Sequence, residues 1–178
     1  YFEVFSPTMQ IKTFCTLLAL HSGNATVFAE CWDVSAAFLF ADLLEDIFIE
    51  QPRGHVDQHN KSKVWRLRKS LYGLVQSSAN WHKTMNAGMI AVGFTQSRND
   101  TCLFTMTVEI FFIQTVIHVD DYSVFHNKKA LCTKVFTELS THYTLKRGPL
   151  NHFLGMRVMR DDNSKIFTLD QEEYAVSV

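Results

Sequence analysis

The sequence predicts an α+β fold, a ferredoxin-like antiparallel sheet with helices packed on one face. Two β-rich apolar runs within residues 111–125 meet at adjacent aspartates, Asp120 and Asp121, and read as a hairpin with both carboxylates at its tip. A third apolar run, residues 26–33, reads as a strand ending on Asp33. Helical patterns lie before and after the hairpin. The order strand, helix, hairpin, helix, strand is that of a split β-α-β unit, which covers one sheet face with its helices.

Taken in order, residues 12–21 carry a helical pattern in Phe14, Leu17 and Leu18, ended by Ser22-Gly23-Asn24. After the strand to Asp33, residues 35–44 are rich in helix formers, with Ser35 as the expected cap and Phe38 on the first turns. Residues 47–50 alternate as a short strand that Pro52-Arg53-Gly54 breaks, and residues 64–68 resume the alternation. Ser77 or Ser78 opens a helix with Trp81, Met85, Met89 and Val92 on one face, ending at Gly93. Beyond the hairpin, Asn127 is the expected cap of a helix carrying Leu131, Val135, Phe136 and Leu139. Gly148-Pro149 punctuates, residues 153–159 read as a strand, and residues 166–169 pair back across a turn at 161–164.

A chain of 178 residues with 47% hydrophobic content suits one domain with a sizeable core. No apolar stretch approaches the roughly 20 residues that span a bilayer, and the start lacks Met and a signal-peptide pattern. An internal fragment of an intracellular, cytoplasmic protein without a membrane partner is expected. Cys15, Cys31, Cys102 and Cys132 show no CxxC spacing, so neither zinc nor disulfides are expected and free thiols are. The net charge of −1 hides a basic strip, in which Arg53, Lys61, Lys63, Arg66, Arg68 and Lys69 stand against the single acid Asp57. Such a strip suits either a solvated surface or a phosphate backbone.

The carboxylates carry the chemistry. No Lys or Arg lies between Arg98 and Lys128, or from Thr13 to Pro52, so Asp33, Asp120 and Asp121 have no cationic neighbour in the sequence. Gathered together, such groups either keep a proton or bind a hard divalent ion, for which Mg²⁺ fits best. Two ions about 3.5–4 Å apart serve phosphoryl transfer in polymerases and nucleases. Strand alternation marks Asp33 and Asp120 as the firmer ligands and Asp121 as the lesser one.

Five motifs stand in one order: Asp33-Val34-Ser35-Ala36-Ala37-Phe38-Leu39, Ile49-Glu50-Gln51-Pro52, Lys69-Ser70-Leu71-Tyr72-Gly73-Leu74, His118-Val119-Asp120-Asp121 and Phe153-Leu154-Gly155-Met156. Together they resemble the reverse transcriptase of copia-type LTR retrotransposons, over residues 1–174. The resemblance implies a polymerase palm with part of the fingers, a single partial domain over residues 1–178 without thumb or RNase H. It implies an RNA-directed DNA polymerase with Asp33, Asp120 and Asp121 as catalytic residues and ligands of two Mg²⁺, Mn²⁺ being an alternative. Val34, Phe38, Tyr72, Gly73 and Gln76 would contact the nucleotide, with Phe38 projecting into the cleft against a 2′-hydroxyl. Phe153, Leu154, Gly155 and Met156 would grip the primer, and Arg66, Arg68 and Lys69 the nucleic-acid backbone. The partners implied are an RNA or DNA template-primer, deoxynucleoside triphosphates and the rest of a Pol polyprotein, integrase and RNase H. Gln10, Cys15 and Val75 stand where the family usually has basic residues. That departure supports an alternative, a decayed, non-enzymatic remnant that binds at most metal or nucleic acid. A metal-dependent nuclease using the same carboxylates is a third reading.

Overall fold

The computed structural model describes residues 5–177. In chain order the elements are α1 (Ile11–His21), β1 (Phe28–Val34), a 3₁₀ turn (Ala37–Phe40), β2 (Phe48–Glu50), β3 (Val64–Arg66) and α2 (Ser77–Ala91). There follow β4 (Thr95–Gln96), β5 (Leu103–Val108), β6 (Phe111–His118), β7 (Asp121–His126), α3 (Lys129–Leu139) and β8 (Leu145–Pro149). The chain closes with β9 (His152–Phe153), β10 (Met156–Arg160), β11 (Phe167–Asp170) and α4 (Glu172–Ser177).

Six strands form the main sheet in the order β4-β5-β6-β7-β1-β8, every pair antiparallel. Its inner four strands, β8-β1-β7-β6, with α2 and α3 as crossovers, have the connectivity of the split β-α-β unit. The α+β expectation holds. Period-two alternation divides the side chains between two faces. Trp32, Val34, Ile113, Ile117, Tyr122 and Val124 pack against Trp81, Met85 and Met89 of α2 and Cys132, Val135 and Leu139 of α3. Val116 and Phe125 point the other way, toward Phe14, Leu17 and Leu18 of α1 and Phe153, Met156 and Val158 of a second sheet, β11-β10-β9. The helices therefore do not all share one face. Apolar side chains on both sides of β6 and β7 require cover on both sides.

Several local expectations fail for identifiable reasons. Residues 35–44 do not form an α-helix. Ala36 adopts φ 57, the chain makes one 3₁₀ turn, and the rest is drawn out by Ser70 N–H to the Ala41 carbonyl (2.9 Å) and Leu43 N–H to that of Arg68 (3.1 Å). Ser77 lies inside α2 and its hydroxyl donates to the Leu71 carbonyl at 2.6 Å, while Gln76 occupies the cap position without a side-chain bond. Asn127 caps nothing. Its side chain accepts from Phe112 N–H (2.8 Å) and donates to the Ile110 carbonyl (3.0 Å), tying down the β5–β6 turn. Gly148-Pro149 ends β8 rather than preceding a strand, and residues 153–159 are a hairpin, because Leu154 (φ 51) and Gly155 (φ 72) turn the chain between β9 and β10.

Candidate active site

The β6–β7 hairpin turns through Val119 and Asp120, with His118 and Asp121 as the closing pair. Val119 takes φ 58, a left-handed conformation unusual for a β-branched residue. The turn is held from two directions. Val34 N–H, at the end of β1, donates to the Asp120 carbonyl at 2.9 Å, and the buried Trp81 indole donates to the Val119 carbonyl at 2.6 Å. Both carbonyls are thereby paired and the turn's direction is fixed.

Across from Asp121, in register on β1, stands Asp33. Cross-strand partners share a face, so Asp33 and Asp121 project from the side opposite α2 and α3, with Asp120 beside them in the turn. Asp121 therefore shares its face with Asp33, where simple alternation set it apart. Alternation counted from a turn at Asp120-Asp121 demotes Asp121; the observed turn lies one residue earlier and aligns it with Asp33. The row extends both ways, to His118 opposite Asp121 and Lys146 opposite Asp33.

The site is electrostatically negative. Burial, then the charges of Asp120 and Asp33, push the Asp121 carboxyl up, with His118 pulling it down. Burial and the charges of Asp121 and Asp33 raise the Cys31 thiol, two residues from Asp33 on β1, to about 11. Burial, followed by the charge and hydrogen bond of Asp120 and the charge of Asp33, raises the Tyr72 phenol. These shifts mark a negative field that a bound cation would relieve. Three carboxylates are hard oxygen donors, and the donor set fits Mg²⁺. Among the described residues, the trio of potential ligand side chains that converges within 4.8 Å is a different one, Glu30, His126 and Cys132.

The other candidate residues divide. Tyr72 is exposed, its hydroxyl donates to Asp120 Oδ2 at 3.4 Å, and its ring lies 4.4 Å from that of Phe38. Phe38 does not project freely into the cleft: it is 8% exposed, part of the helix-side core with Tyr72 across it. Gly73 is a turn residue with φ 95, and a side chain there would meet nothing within 4 Å. Gln76 sits at the start of α2, half-buried. Phe153 and Met156 are core beneath α1, Phe153 lying 4.6 Å from the Phe14 ring, and Leu154 and Gly155 form the tip of the hairpin.

The basic strip falls on and beside the β2–β3 hairpin, where acids from an earlier segment meet it. Arg66 pairs with Asp46 (2.5 Å) and Lys69 with Asp42 (2.7 Å), while exposed Arg68 has no ion pair among the described residues. Sequence reading missed Trp81 as a support of the turn and His118 as part of the row. A two-residue turn makes its flanking positions partners, so His118 opposite Asp121 was readable once the turn was placed. No helix among the described residues is long and apolar enough to cross a membrane.

The whole chain, residues 1–178, matches the family model described as reverse transcriptase (RNA-dependent DNA polymerase). It is 34% identical over 97% of its length to the "Retrovirus-related Pol polyprotein from transposon TNT 1-94" of Nicotiana tabacum, spanning 13% of that protein. It is 30% identical over 90% of its length to the corresponding polyprotein from transposon RE2 of Arabidopsis thaliana, spanning 11%. Against the "Putative transposon Ty5-1 protein" of Saccharomyces cerevisiae it is 30% identical over 80% of its length, spanning 46%. No solved structure matches. The chain thus covers less than half of each of these relatives, all from transposons, and the five motifs lie within the matched region. It belongs to the reverse transcriptase family, in the branch carried by copia-type transposon Pol polyproteins.

Proposed function

We propose that this chain extends a primer 3′-hydroxyl with deoxynucleotides on an RNA or DNA template, with Asp33, Asp120 and Asp121 holding two Mg²⁺ ions. The observation that carries this reading is the register of Asp33 against Asp121 beside a turn that presents Asp120. Bound there, the ions would activate the attacking hydroxyl and steady the leaving pyrophosphate. The chain's own contribution is orientation. Val34 N–H and the Trp81 indole fix the turn, and Tyr72 over Phe38 forms a wall beside Asp120 against which a sugar would lie. The β9–β10 tip, Leu154-Gly155, would bear on the primer, and Arg68 with Arg66 and Lys69 on the template backbone. The remaining Pol segments, integrase and RNase H, would be its partners in a full polyprotein.

A second reading is favoured by Gln10, Cys15 and Val75. Gln10 spends its amide on the Asn99 carbonyl (3.2 Å), and Cys15 and Val75 are exposed without charge. Each missing charge-assisted bond to phosphate costs about 1.5–3 kcal/mol, so three cost roughly 4.5–9 kcal/mol if additive. On this reading the chain binds metal and extends primers poorly. Primer extension on an RNA template with Mg²⁺ tests both, comparing the natural chain, its Gln10→Lys, Cys15→Arg, Val75→Lys variant, and Asp120→Asn. Extension by the natural chain that Asp120→Asn abolishes supports the polymerase. Extension only after restoration supports the remnant. Primer shortening in place of lengthening would sink both.

A further inference from the structure

Behind the aspartate row, on the helix side of the sheet, the fold gathers a second set of ligand-type side chains. Glu30 of β1, His126 of β7 and Cys132 of α3 bring a carboxylate oxygen, a ring nitrogen and a sulfur within 4.8 Å of one another. His126 Nε2 lies 3.2 Å from Glu30 Oε1, and Cys132 Sγ 3.8 Å from Glu30 Oε2. Zinc bonds of about 2.0–2.3 Å arranged tetrahedrally separate neighbouring ligand atoms by roughly 3.3–3.7 Å. The third pair, His126 and Cys132, lies within 4.8 Å, so closing on an ion asks the ligand atoms to move by up to about an ångström. His126 and Cys132 are wholly buried, and His126 Nδ1 has no hydrogen-bond partner. A cleft of about 320 Å³, lined by Glu30, Lys129, Arg147, Gly148 and Pro149, opens onto the carboxylate, the one of the three ligands that reaches it.

The cluster already holds a cation. Arg147 donates to both Glu30 oxygens at 2.6 Å, to Thr133 Oγ1 at 3.1 Å, and lies 5.5 Å over the Phe136 ring. An entering divalent ion would take over its role. Burial, followed by the charge of Glu30, raises the Cys132 thiol to about 12, so the thiol is protonated and its proton must leave to solvent. Thiolate and carboxylate then balance the ion's two charges, and Arg147 releases Glu30 while keeping Thr133 and Phe136. We propose that Glu30, His126 and Cys132 form a binding site for a thiophilic divalent cation, zinc by its donor set, with Arg147 as the resident competitor. Cysteine spacing gave no sign of it, since the ligands come from three elements and 102 residues separate Glu30 from Cys132. The site does not depend on the polymerase reading. Soft sulfur and imidazole ligands select an ion other than the one the aspartates suit.

The test is titration of the full chain with Cd²⁺, following the ultraviolet thiolate-to-metal charge-transfer band, with Zn²⁺ as competitor and excess Mg²⁺ present. One equivalent is expected to produce the band, Zn²⁺ to remove it, and Cys132→Ser or His126→Gln to lose it with the fold retained by circular dichroism. A chain with serine at Cys15, Cys31 and Cys102 should keep it. Arg147→Gln is the discriminating variant. Removing a unit positive charge this close should tighten Cd²⁺ about tenfold, whereas a purely structural Glu30–Arg147 pair predicts no band in either chain. Absence of the band in both the natural chain and Arg147→Gln, or a band that survives Cys132→Ser, overturns the proposal.

Discussion

Replacing Asp121 by Asn should make the metal-free chain more stable and weaken its response to magnesium. Directly opposed residues on antiparallel strands place their Cβ atoms about 4.5–5.5 Å apart. Two unit charges about 5 Å apart repel by about 0.8–3.3 kcal/mol for effective dielectric constants between 80 and 20. Asp33 faces Asp121 in register, and the raised Asp121 carboxyl reports burial together with the charges of Asp120 and Asp33. Asn keeps the shape and drops the charge, so the gain should be about 1–3 kcal/mol. In a chain of 178 residues, 1 kcal/mol moves Tm by about 2–4 °C, giving a rise of about 2–12 °C. Magnesium should reverse the order. At a hundredfold excess over Kd the natural chain gains about 2.7 kcal/mol, and the Asn variant, lacking one of the proposed ligands, much less. Circular-dichroism melts in chelator and in Mg²⁺ measure both. A variant that melts lower than the natural chain in chelator, or shows an equal magnesium shift, would refute the reasoning.

Three further outcomes are expected. Phe38→Ala should cost about 3–5 kcal/mol in urea unfolding, because a ring only 8% exposed leaves a cavity; a test of sugar selectivity therefore needs Phe38→Leu, and a loss below 1 kcal/mol for Ala would return Phe38 to the cleft. Burial would raise Glu30, but hydrogen bonds from His126, Arg147 and Trp32 and the Arg147 charge hold it to about 2. A depressed carboxylate stabilises the fold above its unfolded pKa near 4.5 and loses that contribution as pH falls toward 2. Solvent screening reduces the nominal value to about 1–2 kcal/mol, and urea midpoints between neutral and acid pH should show it in the natural chain and lose most of it in Arg147→Gln. Arg68→Gln should reduce the slope of log binding constant against log salt for template-primer by about 0.7–0.9, the share of one phosphate contact; an unchanged slope removes Arg68 from the interface.

Much of the fold was legible because long periodic segments announce themselves. The alternating runs gave β1, β6 and β7, and the Trp81-Met85-Met89 and Val135-Leu139 stripes gave α2 and α3. What escaped was set by partners distant in sequence. β8 carries Lys146 and Arg147 and ends on a proline, so nothing in its composition reads as a strand; it exists because β1 offers an edge. Residues 35–44 have helical composition, but a ladder with residues 67–70 takes the Leu43 N–H and the Ala41 carbonyl. At the site, the aspartates and Tyr72 were visible as residue types. Their register was not, because it hinges on which two residues make the turn, and a shift of one position exchanges faces.

The bond from the Trp81 indole to the Val119 carbonyl ties the interior of α2 to the turn that presents Asp120. The indole supplies both bulk and a donor there, so Trp81→Phe would leave the carbonyl unpaired and a void beside it. Copies of such an element that collect substitutions at random present far more core positions than aspartates. A copy that keeps His118-Val119-Asp120-Asp121 intact and has lost the indole retains its hallmark and loses the geometry behind it. An intact motif is therefore a poor gauge of the turn's geometry, and the residue to inspect beside the aspartates is a tryptophan 39 positions upstream of Asp120.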